Sequence, residues 1–167
     1  MKYTISVLVE NHAGVLSKVS GLFSRRGFNI DSLAVGVTED AAISRMTIVV
    51  EGDEYVVEQI EKQLNKLIPV IKVKTLLPTE TIARTLSLFK VSAATGQRED
   101  IMRISELMGA RIVDVTRSTL TLEFSDTAER TETLETLLRP YGIKEVVRTG
   151  IIALEKGANA TRTTKKS

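Results

Sequence analysis

The chain has 167 residues, 43% of them hydrophobic and 26% charged, and no cysteine. That composition excludes a disordered chain, a disulfide framework and thiolate chemistry. The balance of 23 basic against 21 acidic residues, net +2, argues against a nucleic-acid partner. No apolar run approaches the roughly 20 residues of a membrane span. The opening Met1-Lys2-Tyr3-Thr4 lacks the apolar region of a signal peptide. A cytoplasmic protein without a membrane partner is expected.

In chain order, Ile5, Val7 and Val9 alternate with Thr4, Ser6 and Leu8, which predicts a strand. Val15, Leu16, Val19, Leu22 and Phe23 follow at helical spacing, and Gly27 ends that helix. Leu33, Val35 and Val37 predict a second strand; Met46, Ile48 and Val50 predict a third, with the polar turn Thr38 to Ala42 between them. Val56, Ile60, Leu64 and Leu67 mark a second helix, with Glu58 and Lys62 paired on its wet side and Pro69 beyond its end. Val70 to Leu77 closes a βαββαβ unit.

Leu77-Pro78-Thr79-Glu80 reads as a short linker, after which the order repeats. Thr81 to Ala93 is a strand, and Gln97 to Met108 is a helix buried through Ile101, Ile104 and Met108. Arg111 to Thr116 and Thr119 to Ser125 form a strand pair. Leu134, Leu137 and Leu138 sit on a helix stopped by Pro140, and Ile143 to Leu154 is the closing strand. The expectation is an α+β protein of two tandem ferredoxin-like βαββαβ domains, each an antiparallel sheet with helices on one face. Their bounds are 1–77 and 81–155, with a flexible polar tail at 157–167. Units of about 75 residues bury only about 60–65% of their unfolded surface. Pairing between chains would help, so a homodimer is the physical default.

Little in the sequence suits catalysis. His12 is the one histidine; a catalytic base needs an orienting partner and a nucleophile, and although Glu10 and Ser17 are nearby in sequence, Glu10 lies in the strand tail, so His12 reads as a solvated loop residue. No His/Cys/carboxylate cluster has metal-ligand spacing. Glu54, Glu58 and Glu61, and Glu129, Glu132 and Glu135, recur three or four apart as solvated helix faces. No phosphate-binding P-loop motif is present. The basic pairs Arg25-Arg26 and Lys165-Lys166 lack interleaved aromatics. No catalytic or metal-binding residue is assigned.

The stretch "ENHAGVLSKVSGLFSRRGFNIDSL", from Glu10 to Leu33, is different. Two readings fit the junction at Asn11 and Gly14. One is a plain turn. The other is a small-molecule site on a helix N-terminus, where free N–H groups and a partial positive charge receive an anion. Gly14 would let that anion approach the backbone. Asn11 can offer its carbonyl to an ammonium while its NH₂ donates elsewhere. A zwitterion suits both: its carboxylate at the Gly14, Val15 and Leu16 N–H groups, its ammonium near Asn11.

The runs "VENHAGVLSKVSGLFSRRGFNIDSLAVG", "SRMTIVVEGD" and "VVEQIEKQLNKLIPVIKV", with "GARIVDVT" in the second half, closely resemble the regulatory small subunit of acetolactate synthase. The first half resembles an ACT domain, an amino-acid-sensing module. The resemblance implies a non-catalytic subunit of branched-chain amino acid synthesis. It would activate a catalytic large subunit and confer feedback inhibition by valine. That large subunit carries thiamine diphosphate, magnesium and FAD; this chain would hold no cofactor. The resemblance further implies a homodimer through the ACT sheet edge with valine at the interface. Asn11, Gly14, Val15 and Leu16 match the family's loop and helix start. Asn29 and Ile30 match the segment that the neighbouring chain contributes. The competing function is a free-standing tandem sensor acting on some other protein, and the second half discriminates the two.

Overall fold

A computed structural model describes residues 1–163. The expectation of a flexible tail is therefore addressed only up to Thr163; residues 164–167, with Lys165 and Lys166, lie outside the described residues. The chain divides into two compact units, 1–82 with 151–163, and 83–150.

The first unit holds β1 (Lys2–Glu10), α1 (Val15–Arg26), β2 (Ile30–Val37), β3 (Ile43–Glu51), α2 (Glu54–Asn65) and β4 (Val70–Leu76). Its sheet order is β2-β3-β1-β4, with every neighbour antiparallel. Ile5, Val7 and Val9 of β1 and Met46, Ile48 and Val50 of β3 face Val19, Leu22 and Phe23 of α1 and Ile60 and Leu64 of α2. Period 2 on the strands and period 3.6 on the helices thus meet in one core. Gly27 ends α1 in the left-handed conformation, φ 69°, which glycine adopts without a Cβ clash. Asp53 caps α2, accepting from the Val56 N–H at 2.9 Å. Glu58 and Lys62 pair at 2.9 Å.

The second unit repeats the pattern. β5 (Thr81–Ser92) runs into it and is followed by α3 (Arg98–Met108), β6 (Arg111–Val115), β7 (Thr119–Asp126), α4 (Ala128–Leu138) and β8 (Ile143–Arg148). The order β6-β7-β5-β8 matches that of the first sheet, again antiparallel throughout. Phe89, Val91, Leu120, Leu122 and Phe124 pack on Ile101, Leu134 and Leu138. Leu137, expected inside with them, is 42% exposed, because Leu134 and Leu138 already fill the core face of α4.

The structure departs from the sequence reading at the end of the chain. Ile143 to Leu154 is not one strand. β8 stops at Arg148, and a separate short strand, β9 (Ile152–Glu155), follows. Between them Thr149 is held by Leu86, donating its N–H to the Leu86 carbonyl at 2.9 Å and accepting the Leu86 N–H on Oγ1 at 3.0 Å. Residues 151–163 group with the first unit rather than with 83–150. β9 pairs with β5, whose first two residues are in this unit, and the Lys156 N–H donates to the Glu80 carbonyl at 2.7 Å. The segment explains why β1 is buried on both faces. Ser6 and Leu8, which alternation alone turns outward, are as buried as Ile5 and Val7, as are Thr47 and Val49 on β3.

Candidate functional site

The junction between β1 and α1 is built from backbone ties. The Asn11 N–H donates to the Ala42 carbonyl at 2.8 Å. The Asn11 Nδ2 donates to the Ala41 carbonyl, also at 2.8 Å. A carbonyl acceptor fixes the amide orientation, since the reverse would set two oxygens face to face. The side-chain carbonyl of Asn11 therefore points away from the hairpin, and it accepts no hydrogen bond among the described residues. The sequence assigned this division of labour to Asn11 but did not identify its anchor. That anchor, the turn between β2 and β3, contributes only main-chain atoms and so leaves no residue signature.

Gly14 occupies the N-cap of α1 at φ 86°, and a Cβ there would meet nothing within 4 Å. The glycine serves backbone conformation, not close packing. The start of α1 has no side-chain cap and no acidic residue in its first turn. The other three α-helices among the described residues each have one or both: Asp53 and Glu54 on α2, Glu99 and Asp100 on α3, Thr127 and Glu129 on α4. Helix N-termini normally receive such partners. The first N–H groups of α1 are left for another acceptor. Val15 itself is buried in the core, so its contribution there is its backbone N–H. Leu16, expected on the buried stripe, is 45% exposed and offers an apolar surface beside the free N–H groups.

Asn29 and Ile30 lie at the other end of α1. Asn29 is exposed, and Ile30 opens β2, partly buried against the core. The helix between the two groups has 12 residues, about 18 Å of rise. Within one chain the structure does not bring Asn29 to Gly14. β2 is an edge strand with only β3 beside it, and its Val35 and Val37 are 48% and 62% exposed. Gly36, in the same strand, has nothing within 4 Å of its would-be Cβ.

His12 is exposed, as the sequence indicated, but it is not solitary. Its Nε2 lies 2.8 Å from Glu10 Oε2. That hydrogen bond, helped by the Ala13 carbonyl, raises the histidine above its ordinary value. No nucleophile joins the pair, so this geometry fastens a loop and supports no acid–base relay. No group of three or more metal-ligating side chains occurs among the described residues. No helix among them is long and apolar enough to cross a membrane.

Comparison with known proteins covers both units. Residues 5–72 match the family described as the AHAS small subunit-like ACT domain. Residues 84–157 match the family described as the small subunit of acetolactate synthase. A probable acetolactate synthase small subunit of Archaeoglobus fulgidus is 50% identical over 157 residues, 94% of this chain and 98% of that protein. The acetolactate synthase small subunit of Mycobacterium leprae is 45% identical over 163 residues, covering 98% of this chain and 96% of its own. Among solved structures, the small subunit from Thermotoga maritima superposes with a TM-score of 0.89 at 37% identity, over 95% of this chain and 99% of that one. The βαββαβ order of both units and these full-length similarities agree: the chain belongs to the acetolactate synthase small-subunit family, the regulatory subunits that carry an ACT domain.

Proposed function

We propose that this chain is the valine-responsive regulatory subunit of a cytoplasmic acetolactate synthase. It activates a catalytic large subunit that carries thiamine diphosphate, magnesium and FAD, and it restrains that subunit when valine accumulates. The first unit senses the effector and dimerises; the second supports activation. The observation that carries the sensing role is the bare start of α1 beside the free Asn11 carbonyl. A valine carboxylate there would accept from the Val15 and Leu16 N–H groups, where the helix supplies about half a positive charge. The valine ammonium would donate to Asn11. The exposed Leu16 side chain would meet the isopropyl group.

Half a pocket is not enough to enclose a ligand. The β2 edges of two copies would pair to continue the sheet. Asn29 and Ile30 of the neighbouring chain would then close each site, consistent with their distance from Gly14 within one chain. Edge pairing would also cover Val35, Val37 and the flat Gly36.

The test is reconstitution. Purified large subunit should convert pyruvate faster when this chain is added, and valine should reduce that gain. The chain alone should turn over no pyruvate. A large subunit indifferent to this chain, with and without valine, would refute the reading.

A further inference from the structure

Residues 151–163 are tied by side chains to the other three strands of the first sheet, β2, β3 and β4, the last through both Lys74 and Lys72, whose Nζ donates to the Arg162 carbonyl at 3.4 Å. The Ile151 N–H donates to Ser32 Oγ on β2 at 2.9 Å. Arg45 Nη2 on β3 donates to the Ala153 carbonyl at 2.6 Å. Lys74 on β4 forms an ion pair with Glu155, whose side chain is only 7% exposed. The guanidinium of Arg45 is half-buried, and burial lowers its affinity for the proton while the charge of Glu155 partly restores it. Beyond the backbone pairing of β9 with β5, these side-chain ties hold the segment to the first sheet.

Both ends of this segment adjoin the two halves of the sensing site. At its start, Ser32 lies three residues beyond Asn29 in the same edge strand. Toward its end, Thr161–Thr163 share a cavity of about 950 Å³ with Thr38, Asp40 and Ala41 of the β2–β3 turn. That turn receives both hydrogen bonds from Asn11. Upstream, Thr149 is fixed to Leu86 in the second unit, and only Gly150 separates it from Ile151.

We propose that residues 151–163 form an effector-responsive strap. Occupancy of the Asn11–Gly14 site steadies the β2–β3 turn, the turn steadies the strap, and the strap draws on the chain at Gly150 where it leaves the second unit. The proposal rests on the valine site described above. The coupling is reciprocal, so a loosened strap also loosens the turn.

Hydrogen exchange on the full-length chain tests both directions. Glu155→Gln removes the ion pair on β4, across β1 from the β2–β3 turn, with almost no change of volume. Amides of residues 151–156 should exchange faster, and those of Ala42 and Ile43 in the turn should follow by about fivefold or more, with α3 unchanged. Unchanged exchange in the strap, or a faster strap with an unchanged turn, overturns the proposal without reference to any ligand. Valine added to the parent chain should slow exchange at 151–156 by a similar factor. Binding heat by calorimetry with no change in the strap also overturns it. Absence of binding heat instead refutes the valine site, and the Glu155→Gln result then still decides whether strap and turn move together.

Discussion

The two units share a strand order but differ at two matched places. The first is the junction after the central strand. In the first unit the Asn11 N–H reaches the Ala42 carbonyl; in the second the Ala93 N–H reaches the Ser118 carbonyl, at the same 2.8 Å. The side chains then diverge. Asn11 binds its hairpin through an amide and keeps a carbonyl free, whereas the Arg98 guanidinium spends itself on the Thr116 carbonyl. α1 begins bare, but α3 begins with Glu99 and Asp100. One helix start is open to an anion, and the other has its own negative charge in place. The second difference is the outer sheet face. β5 alternates buried and exposed along much of its length, but β1 is buried without interruption from Ile5 to Val9. The same architecture thus has an open helix start and a covered sheet face in one copy and neither in the other, and local residues make the difference.

The covered face gives the largest expected effect. A chain ending at Gly150 loses the strap and uncovers Leu8 and Val49, and Arg45 and Lys74 lose their partners there. Full burial of an aliphatic side chain contributes about 1.5–3 kcal/mol, so the first unit should lose about 3 kcal/mol in urea denaturation. The second unit should keep its stability, with a separate transition followed through α3 and α4. Equal losses in both units would mean that the strap serves the whole chain.

The open helix start gives the next. Gly14→Asp places a carboxylate where the ligand carboxylate would sit, and the left-handed φ of 86° disfavours a side chain there. Like charges repel in a partly dry site. Loss of a charge-assisted hydrogen bond alone costs about 1.5–3 kcal/mol, so valine affinity by calorimetry should fall at least about tenfold, with activation of the large subunit retained. The contrasting change, Glu99→Gln with Asp100→Asn in α3, should leave valine affinity unchanged. It should lower thermal stability by less than about 1 kcal/mol. Loss of valine response from the α3 changes would erase the distinction between the two junctions.

A smaller effect separates the units by pH. His12 is held above its ordinary value by Glu10. Its stabilisation is therefore complete below the ordinary histidine range and fades as pH rises through the elevated value. Glu135 in the second unit is held below the usual carboxylate range, chiefly by Arg148 and further by Arg139. Its stabilisation is present above that range and is lost as pH falls through the depressed value. Exposed pairs are worth little, so each effect is a shallow slope in thermal stability. His12→Ala should flatten the slope on the alkaline side only, and Glu135→Gln on the acidic side only. Crossed effects would contradict the pairings.

Much of this was legible in the sequence, for identifiable reasons. The alternation of Ile5, Val7 and Val9 and the helical spacing of Val19, Leu22 and Phe23 report one core, because strand and helix periods both point at it. Asn11 and Gly14 were legible as the junction between strand and helix, because an amide and a glycine have particular uses at such a turn. The strap was not legible. Ile151, Ile152 and Leu154 continue an apolar run after Val146 and Val147, and periodicity cannot say which sheet a short run joins. Its anchors, Ser32, Arg45 and Lys74, read as ordinary outward polar positions on their strands. The burial of Leu8 follows from a segment more than a hundred residues later in the chain, a distance over which local pattern carries no information.

The proposed sensing site is shared between two chains. Asn11 and Gly14 stand at one end of α1 and Asn29 at the other, so in a dimer each protomer would contribute to two different sites. The direct measurement is calorimetry on a purified mixed dimer, one protomer carrying Gly14→Asp and the other Asn29→Ala, each variant defective as a homodimer. One composite site then gathers both lesions, and the other is native. Valine should bind at one site per dimer with the parent's affinity. A folded mixed dimer without that site would show that each pocket lies within a single chain.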